Sequence, residues 1–236
     1  MLPILFQDEH LVAIHKPAGL LVHRTELDRH ETRFAVQLLR DQIGARVWPA
    51  HRLDRGTSGV LLFALDPGTA SHLGQQFEHQ AVDKTYLGVV RGHPPESGLI
   101  DHPLARRFDD LEPAGATQPA RTHYRRLATV ELPVAVDRYP TSRYALLKLH
   151  PETGRRHQLR RHLKHIAHPI IGDATYGKGR HNRMFTERYL CGRLLLACTR
   201  LALRHPANGK PLVVQAPPDE DFQSVLAALG WAHGPL

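Results

Sequence analysis

Residues 50–65, AHRLDRGTSGVLLFAL, decide how the chain is read. The polar and small residues from His51 to Gly59 form a loop, and the apolar run from Val60 to Ala64 that follows has the length and β-branched start of a buried strand. Working outward, residues from about Pro67 to His79 have helical spacing, and KTYLGVVR (84–91) is a second strand. On the other side, ILFQDEHLVAIHKPAGLLVHR (4–24) reads as a strand, a turn at Asp8 and Glu9, a strand ending at Lys16, and a bend at Pro17–Gly19 into a third short apolar segment. Residues from about 33 to 43 have helical spacing, with Phe34, Leu38 and Ile43 apolar.

Strand patterns return in HYRRLATVEL (123–132), RYALLKLH (143–150), RLLLACTRLAL (193–203) and GKPLVVQAP (209–217), and FQSVLAALGW (222–231) is a terminal helix. Between His93 and Pro119, prolines, glycines and the acidic run Asp109, Asp110 and Glu112 read as loops over a little strand. Strands and helices are mixed without regular βαβ alternation, so the fold class is α+β. With neither an internal repeat nor a clear linker, residues 1–236 read as a single catalytic-sized domain.

The chain has 236 residues, 42% hydrophobic and 23% charged, which excludes disorder and collagen-like structure. No apolar run approaches the roughly 18 residues of a membrane span, and MLPILFQDEH lacks the basic flank and cleavage site of a signal peptide. A cytoplasmic protein with reduced Cys191 and Cys198 is expected. Thirty-one Lys and Arg against 23 Asp and Glu leave a net charge of +8. From Arg155 to Arg193 there are ten Lys and Arg against only Asp173 and Glu187, a net of eight, so this one stretch equals the whole excess. Such localisation marks an anionic partner. Aromatics are only 6% of the chain, which favours phosphate contact and shape over extensive base stacking.

Within the basic stretch, HQLRRHLKHI (157–166) reads as a helix with Leu159, Leu163 and Ile166 on its apolar stripe. Arg161 and His157 then point away, and Arg160, at the stripe's edge, needs a carboxylate partner if drawn inward. The histidines at 157, 162, 165 and 168 suggest metal binding only weakly, because neighbouring cations repel a dication and the helix has no carboxylate. Hydrogen bonding to RNA or surface exposure is preferred. GDATYGKG (172–179) contains the G-x-x-x-x-G-K spacing of a phosphate loop, but Gly179 replaces the required Ser or Thr, so Gly172 and Gly177 are expected to serve turns. In HRLDRGTSG (51–59) an aspartate between two arginines is favoured as an anion, suited to nucleophilic attack or to an ion pair.

These motifs together resemble the RluA-type pseudouridine synthase family, and within it the branch acting on uridine 65 of tRNA. The resemblance runs through KPAGLLVH (16–23), HRLDRGTSG (51–59), KTYLGVVRG (84–92), TGRRHQLRRHLKHIAHPIIGDATYG (153–177), RLALRHP (200–206) and PPDEDF (217–222). It implies a pseudouridine synthase fold with a mixed or antiparallel central sheet and two subdomains flanking a basic cleft, isomerising uridine in RNA without metal or other cofactor. By the same resemblance Asp54 is the essential carboxylate, Tyr86 stacks on the target base and is a candidate for removing the C5 proton, and Arg160 pairs with the aspartate. Arg52 enters the space left by the flipped nucleotide. Arg155, His157 and Arg161 are expected to contact RNA.

Two positions depart from the family pattern. Leu196 stands where a His is usual in a Leu-His-Ala element, and Gly56 where Pro is common. No separate N-terminal RNA-binding domain is expected, since the motifs begin near residue 4, and a monomer is the default. Three other readings share parts of this pattern: a synthase acting on ribosomal RNA, a catalytically silent RNA-binding protein of the same fold, and an N-glycosidase that releases uracil.

Overall fold

The computed structural model describes residues 1–23, 31–105 and 116–231; the acidic run at 109–112 lies outside them. The chain divides into two compact units, Met1–Lys84 with Leu196–Asp219, and Thr85–Leu195 with Glu220–Leu236.

The first unit is built around residues 50–65. Strand β4 (Ser58–Ala64) is buried at every residue, as a strand covered on both faces must be. One edge pairs antiparallel with β2 (Leu11–Lys16), which pairs in turn with β1 (Ile4–Gln7). The other edge is shared. At Ser58 and Gly59 it runs parallel to β11 (Leu196–Arg204), and at Phe63 and Ala64 it meets the short β3 (Trp48–Pro49). Strand β12 (Pro211–Gln215) closes beyond β11, so the sheet is mixed. Gly59 has φ of +107°, and a Cβ there would overlap the Cys198 carbonyl, so only glycine lets β11 approach this closely. Helix α1 (Ala35–Ile43) ends at a left-handed Gly44. Helix α2 (Pro67–Glu78) starts at Asp66, whose carboxylate accepts the Thr69 amide at 2.8 Å, with Pro67 in the first turn.

The second unit carries an antiparallel sheet in the order β6 (Ser97–Asp101), β9 (Arg121–Leu132), β10 (Ser142–Pro151), β5 (Asp83–Arg91), of which Asp83 and Lys84 belong to the first unit. A small ribbon of β7 (Leu104–Ala105) and β8 (Thr117–Gln118) lies apart. Helices α3 (Gln158–His165), α4 (Gly179–Tyr189) and α5 (Glu220–Ala228) complete it. The two cysteines are free and buried. No helix among the described residues is long and apolar enough to cross a membrane.

Helix α3 corrects the sequence reading in one respect. Its buried residues are Gln158, Leu159, His162 and Leu163, so the inward face is half polar, and Ile166 is the C-cap rather than part of the stripe. His162, expected at the surface or on RNA, is fully buried. Its Nδ1 lies 2.9 Å from Thr122 Oγ1 and its Nε2 lies 3.0 Å from the His102 carbonyl, which a neutral ring satisfies by donating from Nε2. Burial lowers its proton affinity accordingly. The helix start uses Gln158 instead of a capping side chain at His157. Gln158 Oε1 accepts the Arg155 amide at 3.0 Å and the Thr153 hydroxyl at 2.7 Å, while Nε2 donates to the Arg121 carbonyl at 2.9 Å. A satisfied polar network of this kind fixes α3 on β9 in one register.

Candidate active site

Asp54 sits in the loop that feeds β4, half-buried between buried Leu53 and Thr57. Its carbonyl accepts the Thr57 amide at 3.0 Å, closing a turn that sends the chain directly into the strand. His51 anchors the loop's start: its Nε2 accepts the Leu62 amide at 3.2 Å and its ring stacks on Phe77 at 4.8 Å. Burial, and then the nearby Lys84 cation, hold this imidazole down at about 3, so it is neutral at physiological pH.

A second anchor was not found from sequence. Lys16 is fully buried, and its ammonium donates to the carbonyls of Pro17 (2.9 Å), Leu20 (2.7 Å) and Arg55 (3.2 Å). The Arg55 carbonyl also accepts the Gly19 amide at 2.8 Å. One cation thereby ties the Pro17–Leu20 bend to the aspartate loop through main-chain atoms. The signal was present in KPAG, where a lysine ends a buried strand just before a bend. Arg55, read as one of two cations beside Asp54, instead pairs with Glu31 at 2.6 Å. Arg52 is exposed, and its charge, after burial, disfavours protonation of His23.

In the second unit, Tyr86 lies on β5 opposite Leu149 of β10, half-buried, with its neighbours Thr85 and Leu87 buried. Arg160 is on the first turn of α3, and the structure supplies a carboxylate for it: Asp173. Arg160 Nε donates to Oδ2 at 2.7 Å and Nη2 to Oδ1 at 2.9 Å, a bidentate pair with the acid fully buried and the guanidinium 11% exposed. Asp173 Oδ1 also accepts the Thr175 and Tyr176 amides, each at 2.9 Å. Burial alone would raise this carboxyl, but the Arg160 hydrogen bonds and the two amides hold it below the usual carboxylate range.

These contacts also explain the G-x-x-x-x-G-K spacing. The loop amides that a phosphate would need are taken by Asp173's own side chain, and Gly172, at φ +78°, packs its backbone against the Arg193 carbonyl. Asp173 is one of only two acids in the ten-cation stretch, which is the signal that could have singled it out.

Tyr176 collects the other side chains of this corner. Arg160 lies over its ring at 5.1 Å and Lys164 at 5.7 Å, and its hydroxyl is 3.2 Å from His157 Nδ1. His157, in the left-handed region at φ 54°, heads the helix. Arg155 Nε donates to the Pro119 carbonyl at 3.1 Å and Arg161 Nη2 to that of Ala105 at 2.9 Å. Of the four histidines, His157 meets Tyr176, His162 meets Thr122 and the His102 carbonyl, His165 stacks on the His102 ring at 3.7 Å, and His168 Nδ1 lies 2.9 Å from the Arg91 carbonyl. No group of three or more His, Cys, Asp or Glu among the described residues is placed to hold a metal ion.

The RNA pseudouridylate synthase family matches residues 10–165. The chain is 52% identical to tRNA pseudouridine synthase C of Pectobacterium carotovorum subsp. carotovorum over 98% of its own length and 63% of that protein, and so spans less than two thirds of it. With the protein of that name from Vibrio cholerae it is 49% identical over 100% of this chain and 99% of the other, and with that of Yersinia pestis 50% identical over 98% and 92%. Among solved structures, Human RNA Pseudouridylate Synthase Domain Containing 4 superposes with TM-score 0.73 at 26% identity, covering 99% of this chain and 94% of that one. Human RNA Pseudouridylate Synthase Domain Containing 1 gives 0.71 at 24%, covering 92% and 84%, and shares the fold.

Proposed function

Because the chain belongs to the RNA pseudouridylate synthase family, we propose that it isomerises uridine to pseudouridine in tRNA, at the position that the resemblance gives as 65. The observation that carries this is end-to-end similarity to a tRNA pseudouridine synthase, 49% over the full chain, together with an aspartate on a loop clamped from both sides.

The reaction conserves atoms and electrons. The N1–C1′ bond breaks, the uracil turns over, C5 bonds to C1′, and the C5 proton leaves, so no redox carrier or group donor is consumed. Asp54 supplies the carboxylate, and three routes use it: addition to C6, trapping of C1′, or removal of the 2′ proton. Tyr86 is the group that stacks on the base and accepts the C5 proton. Arg160, the arginine that the resemblance pairs with the reacting carboxylate, is held in place by Asp173. Extruding the uridine costs a few kcal/mol, and exposed Arg52 offsets part of that by filling the gap. Arg155, His157 and Arg161 give the phosphate contacts; a guanidinium has five N–H donors, so a carbonyl contact does not exclude a phosphate.

Substrate choice is tested by incubating the protein with tRNA and with ribosomal RNA fragments and locating pseudouridine by carbodiimide mapping. One new pseudouridine in tRNA, and none in the ribosomal fragments, is the expected outcome. Product confined to ribosomal RNA would overturn the assignment of substrate.

A further inference from the structure

The second unit contains a cleft of about 480 Å³, between the β9–β10 connection (residues 133–141) and the start of α4, that the proposed chemistry does not use. Its walls bring together residues from two segments far apart in the sequence, ATVELPVAVDRYPTSRY (128–144) and YGKGRHNRMF (176–185). The volume lies in the range of pockets that enclose a small ligand.

At its base is a buried polar relay. His181 has a side chain only 5% exposed; its Nδ1 is 2.7 Å from the Tyr144 hydroxyl and its Nε2 is 3.0 Å from Asp137 Oδ2. In a neutral ring Nε2 either donates to Asp137 Oδ2 while Nδ1 accepts the phenol proton, or accepts from Arg91 Nε while Nδ1 donates to the phenol oxygen. Arg91 Nε lies 3.1 Å from the same Nε2, and its Nη2 is 3.8 Å from Asp137 Oδ2. The relay fixes one carboxylate oxygen and aims the other. Asp137 Oδ1 has Arg180 at 3.7 Å, beyond hydrogen-bond length, and the carboxylate is 35% exposed. Beside it, the Tyr139 ring is 56% exposed, with the Arg138 guanidinium 4.7 Å from its centre, and Arg143 lines the same cleft.

An oriented carboxylate acceptor, an exposed aromatic face and arginines are the parts that recognise one nucleotide. The ring stacks on the base, the acid accepts from an exocyclic amine, and the cations meet phosphate. Uracil has no exocyclic amine, so the reacting uridine is a poor occupant. Resting on the tRNA reading above, we propose that this cleft binds a second, unpaired nucleotide of the same RNA, one whose base carries an exocyclic amine. Arg91 is five residues along β5 from Tyr86, about 17 Å at strand rise, so both places lie within reach of one RNA molecule.

The test has two arms. Tyr139→Ala removes an exposed ring and leaves the relay intact; on a tRNA transcript its KM is expected to rise about tenfold, with kcat within about twofold. A general loss of structure would lower kcat as well, and an unchanged KM overturns the proposal. The second arm needs no turnover: cytidine 5′-monophosphate, titrated into the wild-type protein, should shift the amide resonances of residues 137–143 and 181, and uridine 5′-monophosphate should not. Equal shifts, or none there, overturn it. If the wild-type protein forms no pseudouridine the functional reading fails, and the titration still decides the cleft.

Discussion

Asp54→Asn is expected to lower pseudouridine formation by about a thousandfold or more while tRNA affinity stays within about threefold. The substitution is isosteric, and several contacts that hold the loop are made by other groups. The turn is closed by the Asp54 carbonyl, the Lys16 ammonium grips carbonyls of Pro17, Leu20 and Arg55, and His51 is bound to the Leu62 amide. The loop therefore keeps its shape, and removing a negative charge does not weaken attraction for a polyanion. What is lost is the anion, which every one of the three routes needs, and losses of this size accompany removal of an essential nucleophile. Comparing product mapping with a filter-binding isotherm separates the two effects. Product at the wild-type rate would remove Asp54 from the reaction, and loss of binding in parallel with loss of product would make its role structural.

Asp173→Asn is the second large effect, and here stability and activity fall together. The carboxylate is fully buried against Arg160, so the amide removes the counter-charge of this bidentate pair and turns an N–H toward donors. Breaking such a pair from one side costs about 3–5 kcal/mol. Urea unfolding at neutral pH reads that cost. The pair's contribution has a definite pH range: because the folded carboxyl lies below 3.8, the contribution is fully present above that value and is lost as pH falls from there through the lower folded value, so wild-type and variant stabilities should converge only in strong acid. Arg160→Lys separates position from folding. It keeps the charge but not the fork, and the account expects a folded protein whose kcat falls at least about tenfold with little change in KM. A variant with unchanged kcat would confine the Arg160–Asp173 pair to structure.

How far the sequence was legible follows physical lines. Strands β4 and β10 and helix α1 announce themselves because their buried residues are almost all apolar, whereas α2 is legible from its Asp66–Pro67 start, two of its three buried residues, Thr69 and Gln76, being polar. Helix α4 does not: its buried residues are His181, Met184 and Phe185 among three arginines and other polar residues, so the periodic signal is three residues long and one of them is a histidine. The same blindness hid His162, because a helical wheel sorts imidazole outward and cannot see the threonine and carbonyl that wait for it on other elements. Asp54, Tyr86 and Arg160 were picked out through motif resemblance. The groups that hold them, Lys16 and Asp173, are tied to main-chain atoms or to one distant side chain, and pairings of that kind leave no periodicity to read.

The most direct test of the central claim is tritium release from tRNA labelled at C5 of uridine, counted together with free uracil. Isomerisation expels the C5 hydrogen and keeps the base covalently attached. The account predicts one tritium released per tRNA molecule on catalytic turnover of the wild-type protein, with no free uracil. No release of tritium, or uracil appearing in solution without it, would contradict it.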